Sequence, residues 1–283
     1  MKLRWVLPAL ACCLLLAGCS RQAEIRELEF ALAEEQAFTL SDGTTVDLWR
    51  EDGWEDGDCY YRLSDGTDLL RVKLPMGPEN VHNTYENVED LNETTRAAVL
   101  AWFENRGLLY DTERELERAY GRYLACQENR EEYADRFVQQ IIYPAGSNEA
   151  IICFVTEVTL PLEEPQMVEM ITLQTVFDRE TGQVISGWDL FTIPEAEVRA
   201  WVAEHAAGDD PVLRREMEAA LEPEWIYLFS EGLSVDFPLG SLPSQETAYG
   251  WFEEYEKAPG AVLQPWAVLD SPEEAGKKSG LLT

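Results

Sequence analysis

Three features of the sequence predict an α+β fold: an antiparallel sheet with helices packed on one face, preceded by a small β-hairpin-rich N-terminal unit. Residues 38–74 are short β-prone pieces punctuated by Asp-Gly pairs, residues 92–124 carry apolar side chains at helical spacing, and residues 137–177 hold three runs rich in Ile, Val, Thr and aromatics. With 46% of its 283 residues apolar, the chain has ample core material for one domain of about 190 residues plus the smaller unit.

The chain begins Met1-Lys2-Leu3-Arg4, runs apolar from Trp5 to Leu16, and reaches Leu16-Ala17-Gly18-Cys19. A charged start followed by an apolar stretch shorter than the ~20 residues of a spanning helix reads as an export signal. Leu-Ala-Gly-Cys matches the lipobox of bacterial lipoproteins, in which the cysteine thiol takes a diacylglycerol and becomes the new N-terminus. The expectation is therefore cleavage after residue 18, lipid attachment at Cys19, and residence in the cell envelope on the outer face of the bacterial membrane. Two acyl chains suffice for stable anchoring. The competing reading is an ordinary secretory signal with Cys19 there by chance.

Cleavage removes Lys2 and Arg4, leaving 20 basic against 54 acidic residues, a formal charge of −34. That sign excludes a nucleic-acid partner and repels anionic headgroups, so the acyl anchor alone would hold the protein to the membrane. It attracts cationic partners, although acidity also serves plain solubility. Once Cys19 is acylated, Cys59, Cys126 and Cys153 remain; their spacing matches no zinc motif, and they read as small packed hydrophobes.

In chain order, residues 19–37 form an anchor-proximal segment in which Ile25, Leu28 and Leu32 favour a short amphipathic helix. Residues 38–87 form the β-rich unit. Its Asp42-Gly43, Asp52-Gly53, Asp56-Gly57 and Asp65-Gly66 pairs read as hairpin turns, and Leu-Ser-Asp-Gly-Thr occurs twice, at 40–44 and 63–67. The acidic run 52–58 lacks the EF-hand pattern and reads as turns.

The main domain is placed at 88–272. Asn92 caps a helix that stops at Gly107, with Val99, Trp102 and Phe103 apolar. Asp111 caps a second, in which Leu116, Tyr120, Tyr123 and Leu124 face the core. Strands at 137–143, 150–160 and 167–177 follow, joined by short turns that imply antiparallel pairing, and 178–182 makes a further tight turn. Thr192 and Glu195 form a capping box for a helix burying Val198, Trp201 and Val202; Leu213, Met217 and Leu221 mark another, and 225–229 with 233–237 make a last hairpin. Residues 273–283 read as a frayed tail.

The stretch Thr175-Val176-Phe177-Asp178-Arg179-Glu180-Thr181-Gly182-Gln183-Val184, followed by Asp189-Leu190-Phe191, resembles the exported domain shared by the lysozyme-sensing anti-sigma factor RsiV and the N-terminal part of the peptidoglycan deacetylase PdaC. In that family a Phe-Asp-x-x-Thr-Gly strand end leads to an Asp-Leu-Phe segment and a helix, and a later strand ends in Phe-Pro. Residues 232–238 and Pro265-Trp266-Ala267-Val268-Leu269 fill the later places. The resemblance spans roughly residues 92–269 and implies an exported module alone, which the lipobox cysteine would tether to the membrane. The family's tyrosine-rich segment after Phe-Pro is replaced here by residues 239–249 and an acidic Trp251-Phe252-Glu253-Glu254-Tyr255-Glu256 run, which points to a different ligand wherever that region makes contact.

Catalytic chemistry leaves no signature. The two histidines, His82 and His205, form no His-Glu-x-x-His pattern, and no nucleophile elbow, Walker loop or dinucleotide fingerprint occurs. No catalytic residue, metal or cofactor is expected. Trp251, Phe252 and Tyr255 are candidates for a sugar-binding face or for core. The reading is a noncatalytic binding or sensing domain for a cationic protein such as lysozyme or for a cell-wall (peptidoglycan) fragment. The alternative is an envelope enzyme acting on wall polysaccharide, for which two carboxylates suffice; the sequence nominates no pair.

Overall fold

A computed structural model describes residues 30–51, 58–73, 88, 91–162, 168–257, 260 and 262–270. Cys19, His82, the turns at 52–57 and the tail 273–283 lie outside the described residues, as does the helix expected over residues 20–29.

The fold is α+β, as the pattern predicts, with a large sheet in the order β1-β2-β3-β4-β5-β6-β7-β8. Its strands are β1 (Phe30–Thr39), β2 (Thr45–Glu51), β3 (Cys59–Leu63), β4 (Asp68–Lys73), β5 (Arg136–Ser147), β6 (Ile151–Pro161), β7 (Val168–Asp178) and β8 (Val184–Ile185). All neighbours are antiparallel except β4 and β5, which pair in parallel from Leu70↔Arg136 to Lys73↔Gln139. A parallel pair needs a crossover, and two helices supply it: α1 (Glu93–Arg106) and α2 (Thr112–Asn129). The β-rich N-terminal unit therefore continues the main sheet without a break.

Within that unit the two Leu-Ser-Asp-Gly-Thr copies make the same turn. Gly43 N–H donates to Leu40 O and Gly66 N–H to Leu63 O, each at 2.9 Å. Asp42 Oδ1 accepts from Thr44 N–H at 2.8 Å and Asp65 Oδ1 from Thr67 N–H at 2.9 Å. Gly43 and Gly66 sit at φ +89° and +91°, where glycine is favoured.

Helices α1 and α2 cover one face. Val99, Trp102 and Phe103 of α1 pack on Ile142, Ile152, Phe154 and Phe177, while Leu116 and Ala119 of α2 pack on Val46, Leu48, Leu70 and Val138. Behind the C-terminal strands the other face is covered as well, by α3 (Glu195–Ala206), α4 (Pro211–Ala220) and a second sheet in the order β11-β10-β9. Its strands are β9 (Ile226–Leu228), β10 (Gly232–Phe237) and β11 (Tyr249–Glu254). Val198, Met217, Val235 and Phe237 of this layer close over Ile151, Cys153 and Val176. Among the described residues no helix is long and apolar enough to cross a membrane.

Several local expectations fail for identifiable reasons. Residues 30–35, expected as the end of a helix, lie in β1, because the turn at 40–44 delivers β2 as a hairpin partner, pairing Phe38 with Val46 and Leu32 with Trp49; tertiary pairing overrides helix propensity. Leu124 is 46% exposed rather than core, since α2 turns Leu116 and Ala119 to the sheet. The Thr192–Glu195 capping box does not form. Pro194 occupies the cap of α3 without a side-chain cap bond, and Thr192 instead donates both N–H (2.7 Å) and Oγ1–H (2.9 Å) to Val262 O, tying the segment before α3 to residue 262. The last hairpin forms as expected, and β11 adds a third strand to it.

Candidate functional site

Where the second sheet meets the start of β7, a cleft of about 330 Å³ opens. Val168, Met170 and Thr172 line it from alternate positions of β7, Asp236 from β10, and Leu239 and Glu246 from the segment that follows. Val168 and Met170 stand 52% and 53% exposed at its rim. No Lys or Arg is among its described lining residues.

Asp236 is the chemically distinctive residue. Leu233, Val235 and Phe237 alternate into the core of the second layer, which turns Asp236 to the opposite side of β10, where it is largely removed from water. Its carboxylate accepts a hydrogen bond from the Tyr227 hydroxyl. Burial pushes the Asp236 carboxyl above the usual range, and the hydroxyls of Tyr227 and Thr172 pull it back only in part. Glu169, on the β7 side, is also raised by burial and eased by the Leu239 N–H and by the charge of Arg118. Carboxylates raised by burial in a largely apolar cleft favour a positively charged group.

Cys19, the lipid-attachment site that the sequence predicts, lies outside the described residues. The aromatic candidates divide. Trp251 packs on the core beside Trp201, 5.6 Å between centroids, and Tyr255 donates its hydroxyl to Phe229 O at 2.6 Å, whereas Phe252 is 47% exposed. They do not form one aromatic face. His205 lies in the last turn of α3, its Nδ1 2.7 Å from Trp201 O. Cys59, Cys126 and Cys153 are free and buried, as packed hydrophobes should be. Asp236 was missed; the one signal was an acid in a strand otherwise apolar or small, Gly-Leu-Ser-Val-Asp-Phe.

The family-like motifs prove to be structural. Asp178 Oδ1 accepts from Glu180 N–H, Thr181 N–H and Thr181 Oγ1–H, and the turn docks on the start of α1, where Thr95 Oγ1–H donates to Arg179 O at 2.7 Å. Leu190 and Phe191 are core, and Asn148 binds Trp266 O and Val268 O, holding the 265–269 segment in place.

No family model matches the chain, and no curated protein matches it. Among solved structures, a DUF3298 family member from Bacteroides fragilis matches at 10% identity and a TM-score of 0.41, over 88% of this chain and 98% of that one. A DUF3298 family protein from Pseudomonas aeruginosa PAO1 matches at 12% identity and a TM-score of 0.34, over 86% and 97%.

Proposed function

We propose that the protein is an envelope lipoprotein, anchored through Cys19, whose exported domain is of the RsiV/PdaC type and binds a ligand without turning it over. The ligand class is a cationic protein such as lysozyme, or a wall fragment. The observation that carries this reading is the Asp236 cleft: apolar walls, two carboxylates raised by burial, and no Lys or Arg among the described lining residues. A lysine or arginine side chain would neutralise Asp236 while its aliphatic stem lay against Met170 and Leu239. Net charge of the same sign over the whole molecule would steer such a partner in.

The test is to titrate the chain from Ser20 onward with a lysozyme and with an uncharged wall fragment, at low and at physiological salt. Lysozyme affinity should fall steeply with salt, because exposed charges are screened within ~8 Å at physiological ionic strength. Asp236→Asn combined with Glu169→Gln should weaken it further. A salt-insensitive complex, or none, removes the cationic-protein version. Separately, Cys19→Ser should move the protein from the membrane fraction to the medium.

One observation favours the enzymatic alternative: Asp236 and Glu169 are both raised and both line one cleft, as an acid and its partner carboxylate would. Turnover of purified peptidoglycan, abolished by Asp236→Asn, would establish it.

A further inference from the structure

On the opposite face of the large sheet, the C-terminal end of α1, β7 and the 3-10 turn Pro223–Trp225 enclose a groove of about 420 Å³. Among its described lining residues Arg106 is the one cation and Glu224 the one carboxylate. The Arg106 guanidinium lies 5.1 Å over the Trp102 ring. Its Nε–H is buried and finds no acceptor. Burial pulls the Arg106 pKa down, and Glu224 pulls it back through charge without coming close enough for an ion pair.

Position at a helix C-terminus and stacking on an indole account for a positive charge at residue 106. They do not account for a desolvated donor left empty in a chain that holds 54 acidic residues. The walls around it are set in advance. Trp102 is packed at 5.0 to 5.8 Å against Phe103, Phe177 and Phe154. Gln140, wholly buried, fixes the loop that carries Leu109 by accepting from Leu109 N–H at 2.8 Å and donating to Gly107 O at 2.9 Å. A rigid groove loses little entropy when it is filled.

A guanidinium fork takes a carboxylate in two parallel bonds, and Glu224 can only accept, so it calls for a cationic donor. A simple anion would approach against a formal charge of −32. A zwitterion has no net charge and carries both groups. We propose that this groove binds a free α-amino acid with an apolar side chain, its carboxylate on Arg106, its ammonium toward Glu224, and its side chain against Leu109 and Leu173.

The experiment is calorimetric titration of the full chain with leucine, with leucinamide, which lacks the carboxylate, and with N-acetylleucine, which lacks the ammonium. Leucine should bind saturably, with both analogues at least tenfold weaker. Arg106→Lys keeps the charge, loses the fork, and should weaken leucine about tenfold. Glu224→Gln, a substitution at an exposed position that leaves the fold intact, should weaken leucine and bring N-acetylleucine level with it. The proposal is overturned by no saturable leucine binding at millimolar concentration, by analogues that bind as well as leucine, or by binding indifferent to both substitutions.

Discussion

Gly182 and Gly121 show how one substitution takes opposite signs in one protein. Gly182 closes the Asp178 turn at φ +70°, and a Cβ there would lie 2.9 Å from Ala98 Cβ and 3.1 Å from Thr94 O. Alanine would suffer both the left-handed backbone and the collision with α1, a loss of about 2 kcal/mol or more. Gly121 sits exposed within α2, and a methyl group added there would meet nothing within 4 Å. Alanine at that position removes only the entropic cost of glycine in a helix and should stabilise by about 0.5–1 kcal/mol. Urea unfolding of Gly182→Ala and Gly121→Ala measures both. A midpoint that does not fall in Gly182→Ala would mean that the turn does not bear on α1 as described. The buried cysteines belong to the same scale: burial raises the thiols of Cys59 and Cys153, which fits packing rather than reactivity.

At the level of elements, α2 reads the duplicated turns in register. Glu117 accepts from Ser41 N–H at 2.6 Å, Tyr120 donates to Asp42 Oδ2 at 2.9 Å, and Tyr123 donates to Asp65 Oδ2 at 3.1 Å. Residues 117, 120 and 123 follow one face of the helix, so one helical ridge clamps two hairpins. Tyr120→Phe should raise amide exchange in the 40–44 turn by roughly two- to tenfold, the net worth of one hydrogen bond, and leave 63–67 unchanged; Tyr123→Phe should do the converse. Exchange that rises equally in both turns would argue against separate clamps. The hairpins were legible from Leu-Ser-Asp-Gly-Thr because turn chemistry is local, and Asn92 and Asp111 announced their helices for the same reason. The clamp was not legible, since nothing near Tyr120 in sequence marks its partner 78 residues away. Thr192 misled for a related reason: its capping pattern is local, but Val262 O takes its donors. Asp236 drew no notice among 54 acidic residues because burial, which alone distinguishes it, is a property of the assembled layers.

Across the whole molecule, opposing sets of carboxylates determine how stability follows pH. Asp42, Asp65 and Asp178 are lowered, chiefly by the backbone N–H groups of Thr44, Thr67 and Thr181. Their contribution is complete above the unfolded value of about 3.9 and is lost as pH falls through their folded values. Asp236 and Glu169 run the other way. Burial raises them, so the folded state binds their protons more tightly and loses ground as pH climbs from the unfolded value through the folded one. Mutual repulsion across a chain of formal charge −32 acts in the same direction. Stability should therefore peak on the acid side of neutrality, at about pH 5, with the turn aspartates failing below the peak and desolvated or repelling carboxylates eroding it above. Salt separates the two causes of the upper limb, because at ~1 M the screening length falls to ~3 Å and repulsion between surface charges largely vanishes. Melting temperatures from about pH 3 to about pH 8 should show a neutral limb that flattens in salt and flattens further in Asp236→Asn, whose amide has no proton to lose. If the maximum lies at or above neutrality in low salt, Asp236 is hydrated in the folded protein, and the cleft has lost the buried carboxylate on which its affinity for cations depends.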